Sequence, residues 1–263
     1  MALYDKISND YDATRKADPF IVGRLFSFIQ AGPAKRYLDL ACGSGNYALA
    51  LGELGLDITG IDISRGMLNR GRSKSPSINW VMGDVEVLPF RDASFNGAFS
   101  VLAIHHIRSL SKMFAESFRV LTERLVIFTA TREQMEYYWL NDYFPEAMRK
   151  SIAEMPSQME IEETLLESGF RQIVWQPYDI RDDLQDYFLY VGKNRPELYL
   201  DPRIRAGSST FTSLADQAEV EKGCRSLEVD IESGRIREVL QIYHGQGGDY
   251  MFVVASKFPP TKS

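Results

Sequence analysis

The stretch RYLDLACGSGNYALALGELGLDITGID, residues 36–62, decides the fold of this chain. An apolar run interrupted only by Asp39 leads into the glycine turn GSG at 43–45. A helix-forming segment follows, and then a second apolar run that ends on Asp62. Glycines let a strand turn at once into a helix and let a ligand approach the backbone closely. The order strand, glycine turn, helix, strand and acid therefore predicts a βαβ unit that binds a nucleoside.

The two acids of this stretch indicate which nucleoside it is. The carboxylate of Asp62, at the end of the second strand, is placed to accept hydrogen bonds from ribose hydroxyls. The segment GSGNYA at 43–48 also fits the G-x-G-x-x-G/A fingerprint of nicotinamide and flavin cofactors. A pyrophosphate would be repelled by Asp39, four positions before the first glycine, whereas an ammonium or a sulfonium would be attracted.

Four segments in a fixed order carry a family resemblance: LDLACGSG at 38–45, GIDIS at 60–64, GDVEVLPF at 83–90 and SFNGAFSVLAIHHI at 94–107. Their order and spacing resemble the successive motifs of class I S-adenosylmethionine-dependent methyltransferases. More narrowly, they are similar to the small-molecule branch that includes the quinone-biosynthesis methyltransferases. The resemblance covers about residues 4–130 well, and Ala41 stands where many members have glycine.

The resemblance implies an α/β fold, a Rossmann-like seven-stranded doubly wound sheet that is mostly parallel with its last strand antiparallel. In the family the last two strands form a hairpin. Here the corresponding apolar segments, 170–178 and 250–255, are separated by far more than a hairpin loop, so a helical insertion is expected between them, with its first helix at 184–191. We therefore expect a methyltransferase core with an N-terminal arm at 1–180, an inserted substrate-cover subdomain at 181–248, and a final core strand and tail at 249–263.

The resemblance also implies S-adenosylmethionine as the cofactor and a set of residues around it. In the family an N-terminal arm closes over the cofactor, and the positions matching Tyr11 and Arg15 commonly face it. Asp84 and the backbone N–H of Val85 match positions that recognise adenine. Arg15 is alternatively a solvated residue of the arm, and Met67 is alternatively a core residue. The expected cofactor-binding residues are Tyr11, Arg15, Asp39, Ala41, Gly43, Ser44, Gly45, Asp62, Ile63, Met67, Asp84, Val85 and Ser100.

Three histidines are the candidates for a general base, which is needed only if the acceptor is protonated at working pH. His105 and His106 fall at the predicted carboxyl edge of the fourth strand, and His244 lies in a glycine-rich turn. In the resembling family the pair matching the first two is often structural or lines the pocket. A cluster of aromatic residues either lines an apolar acceptor pocket or packs a helix onto the sheet. Its members are Tyr137, Tyr138, Trp139 and Tyr143.

Composition argues against several other classes of protein. A net charge of -6 and a pI near 5.3 argue against a nucleic-acid partner, which requires clustered Lys and Arg. Two distant cysteines and three histidines support neither a disulfide framework nor a metal site. The polar N-terminus and the lack of a long apolar run predict a cytoplasmic protein without a membrane partner.

The sequence therefore predicts an enzyme that transfers a methyl group in line from S-adenosylmethionine to a small, partly apolar acceptor. Two alternatives stay open. One is a non-catalytic S-adenosylmethionine-binding protein, which no residue of the sequence eliminates. The other is a nicotinamide-dependent oxidoreductase, which Asp39 and the lack of a Tyr-x-x-x-Lys pairing disfavour.

Overall fold

The computed structural model describes residues 14–243 and 247–258, so the predicted site residues Tyr11 and His244 lie outside the described part of the chain. Seven strands form a single sheet in the order β3-β2-β1-β4-β5-β7-β6. The pairs β1–β2, β1–β4, β2–β3 and β4–β5 are parallel, and β7 is antiparallel to both of its neighbours. This confirms the predicted mostly parallel sheet. The strands are β1 Arg36–Leu40, β2 Asp57–Asp62, β3 Asn79–Met82, β4 Phe95–Val101, β5 Leu121–Thr129, β6 Gln172–Tyr178 and β7 Tyr250–Ser256.

Helices cover both faces of the sheet. They are α1 Pro19–Phe28, α2 Asn46–Glu53, α3 Arg65–Lys74, α4 Leu110–Val120, α5 Arg132–Glu136, α6 Leu140–Tyr143, α7 Pro145–Glu154, α8 Gln158–Glu167, α9 Pro202–Arg205, α10 Gln217–Ser233 and α11 Ile236–Ile242. Short 3₁₀ turns cover Ile104–His106 and Pro196–Leu200, and a π-helical turn covers Thr210–Leu214.

The core is split by the sheet into two apolar clusters. Along β5, Val126 and Phe128 belong to the cluster beneath α1 and α2, whereas Leu125 and Ile127 belong to the cluster beneath α4 and α8. This alternation follows from the two-residue repeat of a strand. A strand that is apolar on both faces must be covered on both faces, which is why the sheet is doubly wound.

The segment between β6 and β7 adds helices α9, α10 and α11 over the cluster beneath α1 and α2. Tyr190 of this segment stacks on Tyr138 with ring centroids 3.8 Å apart. The sequence suggests a helix at 184–191, but these residues form turns and irregular backbone. Every second residue of the segment is buried, namely Leu184, Asp186, Phe188 and Tyr190. An every-second-residue pattern suits an extended chain and not a helix. Among the described residues, no helix is long and apolar enough to span a bilayer.

The glycine turn supplies a first testable prediction. Gly45 has φ of +74°, and a Cβ on it would lie 2.0 Å from Cη2 of Trp80. Gly45→Ala should therefore cost about 1 to 2 kcal/mol for the left-handed backbone and a further 1 to 3 kcal/mol, roughly, for the clash. Urea unfolding at pH 7 measures the loss.

Gly55 is the matched control, because its φ of +89° is also left-handed but nothing lies within 4 Å of an added Cβ. Gly55→Ala should show the backbone cost alone. Equal losses of unfolding free energy in the two variants would mean that the indole does not constrain the turn.

Candidate functional site

A cleft opens where β1, β2 and β4 end, at one edge of the sheet. After β1 the backbone enters the left-handed region at Ala41, Gly43 and Gly45, with φ of 55°, 55° and 74°. Gly45 is then the N-cap of α2. The turn brings all of residues 41–45 into the lining of the cleft.

The carboxylate of Asp62 holds the two neighbouring turns in register. Its Oδ2 accepts the backbone N–H of Gly43 at 2.8 Å, and its Oδ1 accepts the backbone N–H of Ser64 at 2.7 Å. Ser64 in turn caps α3, because its hydroxyl accepts the N–H of Met67. Two short bonds therefore fix the orientation of a carboxylate that lies in the cleft.

Most of the predicted cofactor-binding residues are brought together by this cleft. Met67 lines it while being only 3% exposed, so both interpretations of that residue agree with its position. The predicted residues in the lining are Arg15, Asp39, Ala41, Gly43, Ser44, Gly45, Asp62, Ile63 and Met67.

Three predicted residues lie outside the lining of the cleft. Ser100 is fully buried, and its hydroxyl donates to the carbonyl of Leu40 at 3.0 Å, so it ties β4 to β1. Val85 is packed into the core cluster beneath α4. Asp84 forms an ion pair with Arg108 at 2.9 Å. The assignment of Asp84 and Val85 to adenine stays a prediction.

Carboxylates dominate the charge of the cleft. Asp39 is 3% exposed, and burial raises its pKa well above the usual range, with a further contribution from Asp62. The described lining contains the carboxyl groups of Asp39, Asp62 and Asp186 and one guanidinium, that of Arg15, which is paired with Asp186. This excess of negative groups favours a ligand that carries positive charge.

The position of Asp186 is not predicted from the sequence. It belongs to the inserted segment, and its side chain is 2% exposed. Nε of Arg15 donates to its Oδ1 at 2.6 Å, and the hydroxyl of Tyr47 donates to its Oδ2 at 3.0 Å. Arg15 is therefore held by a carboxylate, with 15% of its side chain exposed, and is not a solvated residue of the arm.

Other lining residues were also not singled out from the sequence. Several fall inside the motif at 94–107, so that motif did carry a signal for them, whereas Asp186 lies in no motif. These additional residues are Cys42, Asn46, Tyr47, Val101, Leu102, Ala103, Ile107 and Asp186.

His105 and His106 lie in the 3₁₀ turn after β4, with ring centroids 3.9 Å apart. His106 lines the cleft, whereas His105 lines a second cavity beside it. Burial, followed by the charge of Arg15, lowers the pKa of His106 to about 4. Burial, followed by His106 and Arg15, lowers the pKa of His105 well below its usual range. Both rings are therefore neutral at pH 7.

The second cavity shares Arg15 and Leu102 with the cleft. Its walls come from the end of β5, from α5 and α7, from the inserted segment and from Tyr250. None of the four clustered aromatic residues lines it. Tyr137 is 69% exposed, and the other three pack in the core, so packing is the role that their positions support. These three are Tyr138, Trp139 and Tyr143.

Within residues 14–243 and 247–258, no group of three or more His, Cys, Asp or Glu side chains is placed to hold a metal ion. Both cysteines, Cys42 and Cys224, are free thiols. The functional groups that line the two cavities are therefore carboxylates, one guanidinium, neutral imidazoles, hydroxyls and the thiol of Cys42.

Comparison with known proteins adds independent information. A family model described as a methyltransferase domain matches residues 38–127. The demethylmenaquinone methyltransferase of Renibacterium salmoninarum is 31% identical over 45% of this chain and 52% of its own length, so this match spans about half of that relative. That of Beutenbergia cavernae is 27% identical over 65% of this chain and 82% of its own length. A solved structure from Anabaena variabilis, titled a putative methyltransferase from an antibiotic biosynthesis pathway, is 32% identical, covers 92% of this chain and 98% of its own, and superposes with a TM-score of 0.83.

The low pKa of His106 predicts how stability depends on pH. Between its ordinary value of 6.5 and about 4, the unfolded chain binds a proton at this residue and the folded chain does not. The unfolding free energy should therefore fall as pH drops through this window, by at most about 3 kcal/mol from this residue. Urea unfolding at pH 7.5 and pH 4.5 measures the decrease.

His106→Gln isolates this contribution, because glutamine does not titrate and the carboxylates are unchanged. The variant should lose less unfolding free energy than the parent over the same interval. Identical pH dependence in the two proteins would show that the pKa of His106 is the same in the folded and unfolded chains.

Proposed function

This chain belongs to the class I S-adenosylmethionine-dependent methyltransferases, and from that premise we propose that it transfers a methyl group from S-adenosylmethionine to a small, partly apolar acceptor. The family relationship rests on the 32% identity that extends over 98% of the Anabaena variabilis structure. The observation that carries the proposal is the acidic lining of the cleft at the glycine turn. A second cavity that adjoins this cleft supports transfer to an acceptor over simple binding of a nucleoside.

The acidic lining favours one of the two kinds of cofactor that fit the glycine turn, S-adenosylmethionine and a dinucleotide. S-adenosylmethionine carries an ammonium and a sulfonium, whereas a dinucleotide carries a pyrophosphate with two negative charges. Asp39 is 3% exposed and burial raises its pKa, whereas Asp186 is already paired with Arg15. A cation bound beside Asp39 favours the ionised form of this carboxylate, whereas a pyrophosphate would be repelled by Asp62 and would favour protonation of Asp39.

The residues of the cleft fit the parts of S-adenosylmethionine. Asp62, at the end of β2, is placed to bind ribose hydroxyls. Arg15 presents a planar guanidinium suited to a carboxylate, and Asp186 already orients it through Nε and Nη2. The sulfonium of the bound cofactor supplies an electrophilic methyl group, so the chain has to align the acceptor with it and exclude water.

In this proposal, the inserted segment aligns the acceptor and excludes water. Tyr187 donates its backbone N–H to the carbonyl of Thr14 at 2.9 Å, and Gln185 donates its own to Asp18 at 3.1 Å. We therefore propose residues 181–248 as a substrate cover that is anchored on either side of Arg15, which lines the cleft. Holding two reactants in line contributes several kcal/mol, roughly, to lowering the barrier.

Calorimetric titration tests the cofactor. S-adenosylmethionine and S-adenosylhomocysteine should both bind, and NADH should bind at least about tenfold more weakly because of the acidic lining. Binding of NADH alone would overturn the proposal. Tight binding of S-adenosylmethionine without methyl transfer to any of a panel of phenols, quinols and acidic carbon compounds would favour the non-catalytic alternative.

Asp62→Ala tests the role of the carboxylate at the end of β2. Removing charge-assisted hydrogen bonds to the ribose should weaken the binding of both sulfur nucleosides by roughly ten- to a hundredfold. Isothermal calorimetry at pH 7.5 measures the change, and thermal unfolding checks that the variant is folded.

Asp57→Ala is the matched control, because Asp57 is an exposed acid at the opposite end of the same strand. Its affinity for both nucleosides should equal that of the parent protein. Unchanged binding by Asp62→Ala would remove the ribose assignment, and an equal loss in both variants would point to an effect on β2 itself.

A further inference from the structure

We propose that the cavity beside the cleft binds an uncharged acceptor that carries a hydroxyl group, and that His105 takes the proton of that hydroxyl. This inference rests on the proposed methyl transfer. It adds to it the chemical class of the acceptor and a catalytic residue.

The point where acceptor and cofactor meet is set by Leu102. This residue lines both cavities, and its φ of 52° places it in the left-handed region, which is uncommon for a residue with a side chain. Its N–H donates to the carbonyl of Phe128 at 2.8 Å, which holds the conformation. Strained backbone of this kind is concentrated at functional sites. An acceptor that reaches the cleft therefore passes Leu102 and lies beside His105, three residues further along.

The charges around the cavity favour an uncharged acceptor. Its ionisable lining residues, among those that the structure describes, are Arg15, His105 and Tyr250. The charge of Arg15 is compensated by Asp186 at 2.6 Å. Burial raises the pKa of Tyr250 and lowers that of His105, so both are neutral at pH 7. An ammonium or a phosphate would lose its hydration here without gaining an opposite charge, which is costly.

The cavity lining includes several hydroxyl groups. Ser208 and Thr210 come from the inserted segment and Ser151 from α7, and the hydroxyls of Ser151 and Thr210 are 2.9 Å apart. The lining also contains apolar side chains, among them Met135 and Phe188. A molecule with an apolar frame and one or more hydroxyls, such as a phenol, matches this mixed lining.

His105 is the residue placed to handle a proton. Its Nδ1 is inaccessible to water and has no hydrogen-bond partner among the described residues, so an acceptor hydroxyl cannot reach that atom. Nε2 is not enclosed in this way, and it is the ring nitrogen that can accept a hydrogen bond from an acceptor hydroxyl. Because the ring is neutral and lines the cavity, it can accept a proton from an acceptor hydroxyl.

The proton and electrons balance in a single transfer. The hydroxyl oxygen gives its proton to His105 and forms a bond to the methyl group. The bond between that carbon and sulfur breaks, and both of its electrons stay on the sulfur. The positive charge of the donor disappears in the same step, which makes protonation of His105 easier. The proton passes to water when the methyl ether leaves.

Three probes with the same ring system test the class of acceptor. Binding of 2-naphthol, 2-naphthylmethylamine and 2-naphthyl phosphate is measured by calorimetry at pH 7.5 with saturating S-adenosylhomocysteine. We expect 2-naphthol to bind at least about tenfold more tightly than either charged probe, because only the charged probes lose hydration without compensation. Lack of this preference, whether through equal binding or through no binding, overturns the inference.

The prior titration with S-adenosylhomocysteine keeps the two proposals apart. If the sulfur nucleoside does not bind, the proposed function itself fails. If it binds and 2-naphthol is not preferred, only the inference about the acceptor fails.

His105→Phe and His105→Gln test the proton acceptor. In the Phe variant, affinity for 2-naphthol should fall by roughly three- to tenfold, whereas affinity for 2-methoxynaphthalene, which has no hydroxyl proton, should stay the same. An equal loss for both ligands would mean that His105 only packs against the acceptor. Met159→Ala, at a 64% exposed position on α8, is the control and should match the parent.

The Gln variant separates hydrogen bonding from proton transfer, and it also serves if the Phe variant does not fold. Glutamine can accept a hydrogen bond but cannot take the proton. Methylation of 2-naphthol should therefore slow by about a hundredfold or more, while the affinity for 2-naphthol falls less than in the Phe variant. A rate within about threefold of the parent would overturn the assignment of His105.

Discussion

One carboxylate holds together the two turns on which the cleft depends. Asp62 accepts N–H groups from the glycine turn after β1 and from the start of α3 after β2. The backbone N–H of Cys42 also donates to the carbonyl of Ile61 at 3.0 Å, so a further hydrogen bond joins the end of β2 to the residues that follow β1. Close packing beneath them allows no side chain at Gly45, Gly60 or Gly71, where an added Cβ would lie 3.0 Å or less from the Trp80 indole. The glycines thus serve the packing as well as the approach of a ligand.

The second constraint is an ion pair between distant parts of the chain. Arg15 and Asp186 are separated by 171 residues, and their side chains are 15% and 2% exposed. Pairing two poorly hydrated charges stabilises the fold only when the geometry is good and further hydrogen bonds are present. Tyr47 supplies one of them from α2. The pair therefore couples the N-terminal segment, the inserted segment and the glycine-turn helix at a single point of the cleft.

The parts of the fold and site that follow from local chemistry were predictable from the sequence. The glycine turn, Asp39 and Asp62 lie within residues 36–62, where the order of apolar runs and turn residues determines the neighbours of each side chain. Asp186 was not predictable, because 139 residues separate it from Tyr47 and only the folded insertion brings them together. The helix expected at 184–191 was wrong for a related reason. Asp186 is buried although its side chain is polar, so the buried residues of this segment repeat every two positions, and the pattern of apolar residues in the sequence does not show this.

The aromatic cluster at 137–143 illustrates a different limit. Composition identifies an apolar surface but does not say whether a ligand or the protein covers it. Tyr190 of the inserted segment stacks on Tyr138, and Tyr199 meets Trp139 edge to face at 5.3 Å, so the protein covers it. The side chains left to line the cavity are the smaller and more polar residues of α7 and the inserted segment. Filling one surface with aromatic rings thus leaves a cavity of mixed polarity beside an acidic cleft. In the proposed reaction, the cleft stabilises a positively charged ligand on one side of Leu102, and the second cavity binds an uncharged one on the other.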